Sequence, residues 1–147
     1  LPLQAIATMY LRFATPSVIE DPKIRQAVQH IAELMNEHPD IISGTNAICT
    51  ALLMDDNIVA KGGAQGVYCF GLKKEKLGIA LKVLDGTEDQ WPLVVARILE
   101  QINYSNQATI DRLYQISHKD IYNDNDKLVG NKKAMFTLSD ITQNLQK

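Results

Sequence analysis

Apolar positions recur at helical spacing through the first third of the chain and then change to short continuous runs. Leu3, Ile6, Ala7, Tyr10, Leu11 and Ala14 repeat at three- and four-residue intervals behind Pro2, which suits a first helical turn. Pro16 ends that helix. Asp21–Pro22 reads as an N-cap followed by proline at the first helical position. Ile24, Ala27, Val28, Ile31, Leu34 and Met35 then give the apolar face of a second helix that stops before Pro39. Thr45 or Asn46 can cap a short third helix holding Ile48, Ala51 and Leu52.

The period then shortens. Asn57–Lys61, Val67–Leu72 and Gly78–Val83 are brief apolar runs bounded by turn residues, the pattern of strands. The charged stretch Lys73–Lys76 joins the second and third as a solvated hairpin loop, so these two strands pair antiparallel. Asp89 can cap a further helix, with Pro92 inside its first turn and Val94, Val95, Ile98, Leu99 and Ile102 on its buried face, packing on the sheet. Residues 104–126 are polar and irregular, with one helical turn near Ile110–Tyr114. Lys127–Leu138 reads as a late strand bent at Gly130, and Ser139 can cap a terminal helix. Together these elements predict an α+β fold, a mainly antiparallel sheet covered by helices.

Composition narrows the function. The chain has 147 residues, enough for one modest core, and is 46% hydrophobic and 22% charged. A formal charge of −2 argues against general nucleic-acid binding, which needs a basic face. No apolar run approaches the roughly 20 residues of a transmembrane helix. Cys49 and Cys69 make no disulfide framework or metal-ligand spacing, which fits a cytoplasmic setting. The chain opens on LPLQAIATMYLRFA, with no Met and an amphipathic pattern from its first residues. That opening predicts that residues 1–147 are a single domain or half-domain cut from something longer.

One segment carries candidate chemistry. In IVAKGGAQGVYCFG an apolar run is interrupted by Lys61, Gly62, Gly63 and Gly66 before it resumes. Glycines can be the positive-φ residues of a plain turn, or can let a substrate approach bare backbone beside a single cation. A lysine at a strand end is most often a solvent-facing charge, but lysines whose pKa is lowered by burial and a neighbouring cation can shuttle protons. Ser43, Gly44 and Thr45 precede the third helix, where capping is the plain reading and binding of a substrate carboxylate the functional one. Thr50, Cys49 and Cys69 read as structural, with the cysteines acting as small core hydrophobes. His30, His38, Lys73, Lys74, Lys76, Lys132 and Lys133 read as solvated, and His118 sits in a polar loop.

The segments LPLQAIATMYLRFA, ISGTNAICTALLM, VAKGGAQGVYCFG, LGIALKVLDG and IYNDNDKLVGNKKAMFTL, in this order, resemble the C-terminal half of the bacterial L-asparaginase II family. This is the rhizobial-type group, whose fold is similar to serine β-lactamases. The resemblance implies an amidohydrolase converting asparagine to aspartate and ammonia, with Lys61 catalytic and with Gly62, Gly63, Ser43, Gly44 and Thr45 at the substrate. It also implies that the Ser-x-x-Lys nucleophile and cysteines able to hold zinc lie in an N-terminal half. No Ser-x-x-Lys occurs in these residues, and this chain by itself is expected to hold no cofactor and to be inactive. Partners on this reading are asparagine, the N-terminal half and further copies in a homo-oligomer, with no nucleic acid and no membrane. Three positions depart from the family pattern. Cys49 stands where an acidic residue often precedes the Thr, Ala134 where Pro is usual and Asp126 where Gly is usual. The Cys49 departure leaves other amides, such as glutamine or a peptide-like ligand, open as substrates. A non-catalytic binding domain on the same scaffold is the reading from another class.

Overall fold

The computed structural model describes residues 1–139. The expected terminal helix after Ser139 lies outside them. Among the described residues the elements are α1 (Leu3–Ala14), a single 3-10 turn at Pro16–Val18, α2 (Pro22–Glu37), α3 (Pro39–Ser43), α4 (Ile48–Leu53), β1 (Ile58–Gly62), β2 (Val67–Leu72), β3 (Leu77–Lys82), α5 (Trp91–Gln101), α6 (Gln107–Ile116), β4 (Asp120–Tyr122) and β5 (Leu128–Asn131). The fold is α+β. No helix among these residues is long and apolar enough to cross a membrane.

The start of α2 follows its sequence signal. The Asp21 carboxylate accepts the Lys23 and Ile24 amides at 2.8 and 3.1 Å, satisfying two donors that a helix start leaves free. Two other expected caps fail. The N-cap of α4 is Ala47 and that of α5 is Gln90, and neither makes a side-chain bond. Asn46 adopts a left-handed φ of 63° in the turn before α4. Asp89 sits in a tight turn closed by the Trp91 amide on the Glu88 carbonyl at 3.1 Å.

β1, β2 and β3 form one antiparallel sheet in that order. Val67–Leu72 pairs with Leu77–Lys82 across the lysine-rich turn, as the pattern predicts. Both faces of the sheet are covered, which is why β2 reads as a continuous apolar run instead of an alternating one. On one face Ile58, Ala60, Tyr68, Phe70 and Leu72 share a core with Leu52 and Leu53 of α4, Val95 and Leu99 of α5, and Ile110 and Leu113 of α6. On the other, Val59 joins Ala14 and Ala32. Here α1 crosses β2 and β3 at close range. Gly71 and Gly78 lie opposite each other in the register, and their missing side chains let the α1 backbone touch the strands. The late strand is shorter than expected. Only Leu128–Asn131 pairs, with β4, as a separate exposed hairpin, and the 132–139 segment is tied to α5 by Gln101. The single turn expected at Ile110–Tyr114 is the ten-residue α6, held by burial of Thr109, Ile110 and Leu113.

A buried carboxylate fastens α6. Asp55, in the turn between α4 and β1, is 7% exposed. It accepts Thr109 Oγ1 at 2.6 Å, Tyr104 Oη and Asn106 Nδ2 at 2.8 Å, and the Asn57 amide at 3.0 Å. Burial alone would raise its pKa, but the donors outweigh burial and hold it below the ordinary carboxylate value. A lowered folded pKa stabilises the protein above the unfolded pKa of about 3.9, and that stabilisation is lost as pH falls through the folded value. Asp55→Ala strands three side-chain donors and is expected to lower unfolding free energy by about 3 kcal/mol near neutral pH. Urea titrations checked over pH should also show a shallower acid limb in Asp55→Asn than in the wild type. An unchanged midpoint in Asp55→Ala would show that the carboxylate does not hold α6.

Candidate active site

The C-terminal end of β1, the loop after α3 and the start of α5 enclose an open cleft of about 370 Å³. It brings together Ser43, Lys61, Gly62 and Gly63 of the residues singled out in the sequence. Gly44 and Thr45 do not line it. Gly44 turns the chain at φ 81°, and its carbonyl accepts the Thr50 hydroxyl at 2.6 Å. The same hydroxyl donates to the Pro39 carbonyl at 3.1 Å, so Thr50 stitches the loop between α3 and α4, a structural role.

Lys61 is exposed at the end of β1, and its ammonium donates to the Gly62 carbonyl at 3.3 Å. The three glycines serve different ends. Gly66 is the turn glycine: φ is 76°, and a Cβ would run into the Val83 carbonyl at 2.6 Å. Gly62 and Gly63 are not in the left-handed region. Gly62 makes room for Trp91, whose ring would stand 3.1 Å from a Cβ. Gly63 closes the β1–β2 loop through its amide on the Val67 carbonyl at 2.8 Å.

The Gly62 amide is also engaged, with Cys49 Sγ at 3.3 Å, and Tyr68 Oη donates to the same sulfur at 3.4 Å. Burial pushes the Tyr68 phenol well above its ordinary pKa, with Cys49 adding to the shift, so Tyr68 acts as a donor there. Cys49 and Cys69 are both buried, as expected for small core residues.

Sequence reasoning missed several wall residues. Glu88, Asp89, Trp91 and His118 line the cleft from the β3–α5 loop, the first turn of α5 and the loop after α6. The adjacent acids just before a buried Trp–Pro pair were the available signal for three of them. Nothing local marked His118. Lys73, expected to be solvated, instead donates to Asn36 Oδ1 at 2.8 Å, and burial lowers its pKa. A second cleft of about 500 Å³, walled by Arg97, Glu100, Tyr114, Lys119 and Lys132, contains none of the candidate site residues Ser43, Gly44, Thr45, Lys61, Gly62 and Gly63. Among the described residues no three His, Cys, Asp or Glu side chains come together as a metal site.

The end of β1 thus carries one lysine and two glycines into an acid-lined cleft on a helix-covered antiparallel sheet. The model of the L-asparaginase II family matches residues 1–134, and the chain belongs to that family. No curated protein matches it.

Proposed function

We propose that the chain forms one wall of the active site of an L-asparagine amidohydrolase, in which water and asparagine give aspartate and ammonia. The observation that carries this reading is the convergence of Lys61, Gly62, Gly63 and Ser43 on one polar cleft, within the segment that the family model covers. Amide hydrolysis needs a nucleophile, a proton for the departing ammonia and donors for the oxyanion. Lys61 supplies the proton to the leaving nitrogen. The Glu88 and Asp89 carboxylates at the cleft wall suit the substrate ammonium, and the Ser43 hydroxyl suits its carboxylate. The nucleophile is a serine of a Ser-x-x-Lys segment that these 147 residues do not contain. Its attack forms the acyl C–O bond as the C–N bond breaks, and water then releases aspartate. This reading carries with it a serine β-lactamase-like scaffold, a cytoplasmic setting and a homo-oligomer.

The test is ammonia release from asparagine, with glutamine alongside, by the complete protein and by residues 1–147 alone. Release from asparagine by the complete protein and none by residues 1–147 is the expected result. Release from glutamine alone would reassign the substrate. A folded complete protein inactive on both would leave a binding domain.

A further inference from the structure

The register of the sheet shows what Cys49 does. β1 is an edge strand. The Gly63 amide bonds Val67 and the Lys73 amide bonds the Asn57 carbonyl, so odd-numbered residues of β1 exchange hydrogen bonds with β2. The even-numbered groups point off the open edge, where only water or a side chain can satisfy them. Two side chains do so. Asn36 Nδ2 reaches the Ile58 carbonyl at 2.9 Å, and Cys49 Sγ receives the Gly62 amide at 3.3 Å.

Cys49 is 3% exposed, so its sulfur is largely shielded from solvent. The second donor to that sulfur, Tyr68, is the β2 residue paired with Gly62 across the ladder. The Tyr68 ring in turn packs on Trp91, with centroids 5.0 Å apart, and Trp91 lies against Gly62. Sulfur, phenol and indole therefore converge on Gly62. The carbonyl of Gly62 itself, in the next peptide unit, receives the Lys61 ammonium.

We infer that Cys49 is a positioning residue for Lys61: its sulfur anchors the Gly62 amide, fixes the plane of the 61–62 strand end, and so sets where the Lys61 ammonium can rest. The inference rests on the amidohydrolase reading for its catalytic consequence, but not for its geometry. Thiol sulfur is a weak acceptor, so its contribution comes from direction more than strength. A serine keeps an acceptor there, whereas alanine or valine removes it, and valine preserves volume in case alanine collapses the packing.

The experiment has two readouts on Cys49→Ala, Cys49→Val and Cys49→Ser. In the complete enzyme, kcat for asparagine is expected to fall about 10–100-fold in the alanine and valine variants, with KM within about threefold, the scale of a small misplacement of a reacting group. The serine variant is expected to restore kcat to within about threefold of the wild type, because the acceptor is back. Amide-proton exchange at Gly62, followed by NMR, is expected to speed up at least about tenfold in the alanine and valine variants and to stay slow in the serine variant, as for loss of a single protecting acceptor. Slow Gly62 exchange in both the alanine and valine variants, or a serine variant that behaves like alanine in both readouts, would overturn the inference. If the wild-type enzyme hydrolyses no amide while Gly62 exchange still follows the acceptor, the functional reading has failed and the anchoring role stands.

Discussion

Lys61→Met in the complete enzyme is expected to lower kcat/KM for asparagine by about 10²–10⁴-fold, the usual scale of a lost general acid–base group. The fold should survive. Lys61 is exposed, its partner is a carbonyl of the next residue, and methionine keeps most of its length without a charge to place. The strand pairing that positions it, Lys61 opposite Cys69, is a backbone matter and is untouched. Lys61→Arg is expected not to rescue the rate, since guanidinium stays protonated and cannot pass a proton on. Lys74→Met, in the exposed hairpin loop, is the control, because only its backbone amide has a structural bond, to Asn57 Oδ1 at 2.8 Å. Thermal melts beside the kinetics separate folding from chemistry. Near-wild-type activity in a folded Lys61→Met enzyme would take Lys61 out of the mechanism and leave the glycine segment as a tight strand end.

Gly78→Ala should be the most damaging small substitution in the sheet, at about 3 kcal/mol, the upper end of overpacking costs. A Cβ at Gly78 would overlap the Ala7 carbonyl and approach Leu11 Cα at 2.9 Å. Both are backbone of α1, so no side chain can swing away and the helix itself must lift off β2 and β3. Gly71→Ala meets the same helix, with the Ala14 methyl 2.8 Å from the new Cβ. The two changes should be less than additive, because a helix lifted by one leaves room for the other. For a chain this long, about 3 kcal/mol is a fall in Tm of roughly 10 °C. Gly130→Ala is the control, since its Cβ would find only the Ile121 side chain at 3.8 Å. Equal urea midpoints for Gly78→Ala and the wild type would show that α1 does not rest on these strands.

The two glycines mark a limit of reading a sequence. Each looks like a defect in a strand, and neither suggests a helix. Once the hairpin register sets Gly71 opposite Gly78, the pair becomes a smooth bed for α1. The expectation that the later helix covers the sheet was correct for side chains, as Val95 and Leu99 share the core with Phe70. The close backbone contact belongs to α1 instead. The candidate site divides in the same way. Lys61, Gly62 and Gly63 were visible because a cation and two glycines interrupt an apolar run. Glu88, Asp89 and His118 were not, since they reach the cleft from loops that follow different elements.

The sequence by itself determined the first two helices, the antiparallel hairpin and the family. Asp21–Pro22 starts a helix wherever it stands, because the carboxylate and the ring act within one turn. The short apolar runs around the lysine loop can bury themselves only as paired strands, so the antiparallel hairpin follows from composition and loop length. Only the tertiary structure decided which groups meet. The ten-residue α6 exists because Asp55, more than fifty residues earlier, collects Thr109, Tyr104 and Asn106 in a buried cluster. Cys49 reads as a small apolar residue until the edge of β1 lays a free amide against its sulfur. Propensity and periodicity act over a few residues through backbone sterics and the burial of one face. Contacts between distant segments depend on register, loop path and shape together, and no short window of sequence contains all three.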